Sequence, residues 1–456
     1  MQGRLALLPL LMLPLAASAG PASTDVLVDF LAIPGSAGLG AIQRLDRPPY
    51  RDADTAQDLV PLYMYEGQNV YLHGTRIGLK TDDNKAHWLE LFLDYRYEGY
   101  PTETPPAVLD GMARRSSAMQ SGIAYRGRTE FGNVDLELMH DANNTSHGSE
   151  WRLVYSIDIH SGRWHFRPAW TFAHRSASLN NYYYGVRPEE AIPGRPAYMP
   201  GPGHDMTVAL YGYYELSERW RLLGGIGVTH LDSDVRKSPL VADKSQVGAL
   251  VGAAYDFGSH ANYGAPGRPT YVKLIGGRAT ECNFLPVVAL RCASTRTGDD
   301  TRIWGVDIGT PLVERVNGWP LDFTAYAGVL LHDERGLRPN GAQLDVQIKA
   351  RYYGLPWSDS VRTRLSFGAG FSLAQRVPLT EVRDQARRGR ATNRLLNYLD
   401  PSVDVSVGDL LGVRRWKDSF VGVGLSHRSG IFGSSQLLGN INGGSNYLYG
   451  YLETKL

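Results

Sequence analysis

Near the end of the chain a histidine and a serine stand two residues apart, His427 and Ser429, and Asn446 follows after a long loop. Residues two apart on a β-strand project to one side. Val421, Val423 and Leu425 share that side, whereas Gly422, Gly424, Ser426 and Arg428 share the other, so the pair is expected on a lipid-facing wall. Polar groups there are costly without a partner or a purpose. Leu452 and Leu448 share parity with Asn446, which places Asn446 outward as well, beside His427 across a hairpin. A Ser, His, Asn set of this kind suits ester cleavage: His427 takes the Ser429 proton during attack and returns it to the leaving alcohol, while Asn446 holds the imidazole tautomer. A neutral amide also costs less to desolvate than a carboxylate. The alternative is a polar girdle whose His and Ser bond to lipid headgroups or to each other.

Other reactive residue types form weaker patterns. His140, His147, His160, His165 and His174 cluster in sequence without HExxH spacing, which reads as interface or loop histidines, and neither a metal nor a cofactor is expected. There is no Walker A run and no GxSxG elbow. Arg383, Arg387, Arg388 and Arg390 lie in the longest loop of the second part, either to meet lipopolysaccharide phosphates or as a solvated charged loop. Cys282 and Cys292 are the only cysteines and fall in one loop, where export favours a disulfide.

The elements that must carry these residues are strands of about ten residues, the length a tilted strand needs to cross a bilayer. Residues 344 to 352 show the pattern: Leu344, Val346, Ile348, Ala350 and Tyr352 on one face, Asp345, Gln347, Lys349 and Arg351 on the other. It recurs at 133 to 140 and 402 to 408. Twelve segments precede residue 258, near 26–33, 37–44, 59–66, 69–79, 86–97, 117–128, 133–141, 150–160, 163–174, 206–216, 219–231 and 246–257. Eight follow, near 271–278, 303–310, 321–331, 343–353, 362–374, 402–410, 419–429 and 446–455. Both counts are even, as single-chain bacterial barrels require. The expected fold is all-β: transmembrane antiparallel barrels of about twelve and then eight strands, favoured over one barrel of twenty because each count closes by itself.

Composition agrees. Of 456 residues 51 are glycine, against a usual ~7%, and Tyr (26) and Trp (9) outnumber Phe (12). The formal charge is +1, and without Arg4 of the leader it is near zero, so no basic stripe for nucleic acid is expected. Residues 1–19, with one basic residue, an apolar run and small residues before Gly20, read as a signal peptide rather than a membrane anchor. The expected organisation is a first barrel over 20–257, a Gly, Pro and Asn rich linker over 258–268 and a second barrel over 269–456.

Residues 20–257 resemble the MipA/OmpV family of outer-membrane barrels through Asn181, Tyr182, Tyr183, Tyr184, Gly185 and Val186, then Pro196, Tyr198 and Pro200, then Ser238, Pro239, Leu240 and Val241, and finally Phe257. The resemblance implies a bacterial outer-membrane location and, for some members, a scaffold between murein synthases and murein hydrolases; others are porin-like. Residues 269–456 look like the outer-membrane lipid A deacylases, and His427-x-Ser429 followed by Asn446 is similar to outer-membrane phospholipase A. That resemblance implies hydrolysis of ester-linked acyl chains of lipid A or phospholipid, with outer-membrane lipids, lipopolysaccharide among them, as partners. Three departures bear on it, one of them the long loop between Ser429 and Asn446. The residue after the serine, usually Asn in those families, is Gly430, and the third member, Glu in the deacylases, is Asn446.

Overall fold

The computed structural model describes residues 22–81, 86–100, 105–142, 144–257, 270–295, 298–315, 319–389, 392–430 and 443–456. The expected signal peptide (1–19) and linker (258–268) lie outside the described residues.

Thirteen strands build the first half: β1 (Ala37–Asp46), β2 (Ala56–Glu66), β3 (Val70–His73), β4 (Arg76–Lys80), β5 (His87–Arg96), β6 (Ala118–Thr129), β7 (Gly132–Asp141), β8 (Ser149–Ser156), β9 (Ile159–Ser161), β10 (Trp164–Arg175), β11 (Gly203–Glu215), β12 (Trp220–His230) and β13 (Ser245–Asp256). Neighbours in sequence pair antiparallel, β13 pairs with β1, and β10 pairs with both β8 and β11. Twelve strands therefore close a ring, and the short β9 is an extra edge on β10. The second half is a closed barrel of eight: β14 (Tyr271–Ala279), β15 (Arg302–Val313), β16 (Leu321–Asp333), β17 (Gly341–Tyr352), β18 (Thr363–Ala374), β19 (Leu395–Ser406), β20 (Ser419–Ser429) and β21 (Asn446–Lys455), with β21 pairing back to β14. Closure pairs the strand edges of the second ring and most of those of the first, the condition for crossing lipid with β-structure.

The count of twelve holds, but through two corrections. Residues 26–33, expected as a strand, form most of helix α1 (Thr24–Leu31). Leu27, Val28 and Leu31 make one helical face and Asp25 and Asp29, four apart, make another, so the segment satisfies a 3.6-residue period. The stretch 69–79, expected as one strand, is the hairpin β3–β4, turned at Gly74 with φ 62°, a left-handed backbone that suits glycine. In the second half, 402–410 is corrected at both ends: β19 begins at Leu395 and stops at Ser406, whose side chain accepts from the Asp409 N–H and starts a short helix, Val407–Leu411.

Helix α1 lies inside the first barrel. Its Leu27, Val28 and Leu31 pack on the inward residues Ile42, Leu62, Ala209 and Leu223. Asp29 meets Arg167 at 2.6 Å and Arg128 at 3.4 Å, and Asp25 meets Arg76 at 3.6 Å. Ion pairs between strands fill more of the lumen, including Arg126–Glu137 at 2.8 Å and Arg96–Glu150 at 2.6 Å. A cavity of about 250 Å³ remains between α1 and the wall. The second lumen is filled likewise: Lys273 and Lys349 converge on Asp400 at 3.3 and 2.7 Å, and Arg351 and Arg364 both reach Glu453 at 2.9 Å.

In the first barrel short turns gather at one end and long connections at the other, in the second the longest connections, 280–301, 375–394 and 430–445, share one end, and in outer-membrane barrels the long loops face outside. Over the first barrel's long-loop end, Tyr183, Tyr184 and Val186, from helix α2 (Ala177–Tyr184) and the residues after it, pack with Tyr50, Leu240 and Val241 as a buried cap. Ser238 donates to the Tyr184 carbonyl at 2.7 Å, and Val186 and Tyr198 form a two-way bridge.

The hairpin β3–β4 rises only partway up the wall. Above it, among the described residues, the upper part of β2 has no strand on that side, and neither do the last residues of β5. The second barrel stands against this gap: Leu396 packs with Val60 and Tyr95, and Tyr63 meets Phe371 edge-on at 5.1 Å. Lower down, Phe257 stacks on Phe323 at 3.9 Å beside Ile348, an outward residue of β17 that is only 4% exposed.

Candidate functional site

Strands β20 and β21 are antiparallel neighbours, and their register sets His427 opposite Asn446. Val421, Val423 and Leu452 are exposed on the outer wall, Val423 at 61%, which marks the face that meets lipid. His427 shares that face. Its neighbour Arg428 points inward, donating to Glu381 at 3.0 Å, to the Ser372 hydroxyl at 2.7 Å and to the Asn393 and Arg394 carbonyls at 3.0 Å each. That anchor fixes the backbone on which His427 and Ser429 project the other way. Glu381 is on a loop helix, Leu379–Arg387; burial pushes its carboxyl upward against the pull of Arg428.

The His427 Nδ1 hydrogen donates to Asn446 Oδ1 at 2.6 Å. An amide oxygen can only accept, so Nδ1 is the donor in this bond. Gly444 starts this strand against the Arg428 carbonyl so closely that a Cβ there would lie 1.7 Å from it, which requires glycine. Ser429 stands two residues beyond His427 on the same face, opposite Asn397 of β19. The structure thus brings His427 and Asn446 into contact and sets Ser429 beside them on the outer wall, at the long-loop end of the barrel.

A flap covers this face. Cys282 and Cys292 are disulfide-bonded with Cα atoms 5.8 Å apart, and between them a short helix, Phe284–Val288, lays Phe284 on the His427 ring at 4.6 Å. Cys282 and Val287 bury Leu425, and His427 is 8% exposed.

The other flagged residues lie elsewhere. Arg383 pairs with Asp299 at 2.7 Å and Arg388 with Asp384 at 3.2 Å; Arg390 lies outside the described residues. His160 and His165 share a hydrogen bond of 2.6 Å at the short-turn end, and His174 meets His204 at 3.1 Å on the outer wall. Among the described residues no three His, Cys, Asp or Glu side chains are set to hold a metal ion. Sequence reasoning missed Phe284, Asn397 and Tyr63. Asn397 had a readable signal, an amide set among Leu395, Leu396 and Leu399.

Comparison with known proteins bears on the first barrel. Residues 37–257 match the family described as MltA-interacting protein MipA, and the match ends where that barrel ends. The MltA-interacting protein of Escherichia coli (strain K12) is 30% identical over 230 residues, 48% of this chain and 88% of that protein. Outer membrane protein Omp26La of Vibrio anguillarum is 27% identical over 211 residues, 45% of this chain and 81% of its own. Outer membrane protein OmpV of Vibrio cholerae is 30% identical over 149 residues, 32% of this chain and 57% of its own.

Proposed function

We propose, taking as premise that the chain belongs to the MipA family through its first barrel, that its second barrel hydrolyses ester-linked acyl chains of lipid A or phospholipid on its outer wall. The protein is an outer-membrane β-barrel of the MipA/OmpV type. The observation that carries the finer reading is the bond from His427 Nδ1 to Asn446 Oδ1, made on a lipid-facing wall at the level of the long loops.

The chemistry follows from that bond. Ser429 Oγ attacks the ester carbonyl carbon as its proton passes to His427 Nε2, giving a tetrahedral oxyanion and an imidazolium whose Nδ1 hydrogen stays on Asn446. The carbonyl reforms, the ester C–O bond breaks, and Nε2 returns the proton to the departing alcohol. Water attacks the acyl-serine by the same route, with His427 again as base, and releases the fatty acid. Mass spectrometry of lipid A and phospholipid from outer membranes expressing the chain is the test. Shortened acylation with wild type that vanishes with Ser429→Ala is the expected result; identical profiles overturn the reading.

A second reading, a noncatalytic scaffold for murein enzymes, is favoured by a different observation, the likeness to the MltA-interacting protein of Escherichia coli. The ion pairs that fill both lumens favour a scaffold over a porin-like role. Capture of a murein hydrolase by wild type and Ser429→Ala alike, with unchanged lipid profiles, is the outcome this reading expects.

A further inference from the structure

An oxyanion needs fixed N–H donors within about 3 Å. The residue after the serine is Gly430, which has no side chain to give one, and its backbone N–H already donates to the Gly443 carbonyl at 3.2 Å. The Arg428 N–H is committed as well, to the Ser445 carbonyl at 3.1 Å. Among the described residues, a side-chain donor for an oxyanion at Ser429 is therefore sought on the neighbouring strand.

Asn397 is that neighbour. It lies directly opposite Ser429 in the β19–β20 register, on the same outward face, and opposed residues of an antiparallel pair have Cα atoms about 4.5–5.5 Å apart. Its Oδ1 accepts from the Tyr63 hydroxyl of the first barrel at 2.8 Å. That bond commits the oxygen end of the amide and leaves the N–H end to face away from Tyr63. Tyr63 is itself held by its edge-on contact with Phe371, the register partner of Asn397 on β18. An amide 5% exposed in a seam of Leu395, Leu396, Val60 and Tyr95 is costly unless it serves a purpose.

We propose that the Asn397 carboxamide donates to the oxyanion formed when Ser429 attacks an ester, and that Tyr63 of the first barrel is the positioning residue that turns it there. This rests on the hydrolase reading above. It makes the first barrel a working part of the second barrel's site rather than a separate module.

The test measures fatty-acid release by the full chain in vesicles of phospholipid with lipid A, with retention of compact gel mobility before boiling as the check on folding. Asn397→Ala is expected to lower kcat about 10²-fold or more with little change in KM. Asn397→Asp keeps an acceptor for Tyr63 but removes the N–H donor and places a carboxylate beside the oxyanion, so among molecules that keep the compact mobility kcat should fall at least as far. Tyr63→Phe, which keeps the ring on Phe371, should lower kcat about 3- to 10-fold. If Asn397→Ala does not fold, Asn397→Asp and Tyr63→Phe carry the decision. Near-wild-type kcat in these variants beside a dead Ser429→Ala overturns the proposal and leaves the hydrolase reading standing. Equal release by wild type and Ser429→Ala removes both.

Discussion

The Phe284 ring lies 4.6 Å from that of His427, and the bond between Cys282 and Cys292 closes the loop that holds it there. Closing a loop of this length removes about 3 kcal/mol of chain entropy from the open state. Access to the imidazole is thereby tied to a disulfide.

Cys282→Ser with Cys292→Ser should therefore free the flap while both barrels stay closed, because no strand pairing depends on it. Acylation of His427 by diethylpyrocarbonate, followed by peptide mass mapping, should speed up at least several-fold. Unchanged modification rates would show that the flap does not govern access.

The plug helix α1 gives a second expectation. Asp29→Ala leaves Arg167 and Arg128 facing the lumen without that carboxylate, and since Asp29 is partly exposed the cost is about 1–3 kcal/mol. The unboiled barrel should convert to its slow-migrating form at a lower temperature than wild type. Steady conductance in planar bilayers should also appear or increase, and a variant identical to wild type in both measurements would place the closure elsewhere.

The third concerns acid. Burial by itself would raise the Glu190 carboxyl, but the Arg187 and Ala113 backbone N–H groups and the Arg115 guanidinium outweigh it and hold it below its ordinary value of 4.5. A carboxyl depressed on folding stabilises fully above that ordinary value, and its contribution is lost as pH falls from there through the folded pKa. Hydrogen exchange of residues 107–116 and 187–195 should stay slow at neutral pH and quicken below about 4.5, and Glu190→Gln should flatten that dependence. Acid-independent exchange in wild type would contradict it.

Much of the architecture could be read without coordinates because strand parity is a local property. Val421, Val423, Leu425 and His427 share a face whatever they pack against, and seven of the eight segments of the second barrel fall close to where alternation puts them, the exception being β19, which begins at Leu395. Residues 24–31 were not legible in this way. Val26, Val28 and Phe30 satisfy a two-residue period while Leu27, Val28 and Leu31 satisfy a helical one, and the choice was made by the lumen, which offers apolar walls on one side and Arg128 and Arg167 on the other. The early turn at Gly74 escaped for a related reason: nothing local says how far a strand must climb.

The order of residues by itself determined which side chains leave the second ring outward, that this ring takes eight strands and that His427, Ser429 and Asn446 share one wall, since all of these follow from steps of two along a pleated chain. Only the tertiary structure decided what lies over that wall. Phe284 reaches His427 across a disulfide loop, and Tyr63 reaches Asn397 from 334 residues away, because the second barrel stands against a gap that the short hairpin leaves in the first. Contacts at that separation depend on how two closed surfaces meet, and no local period encodes that.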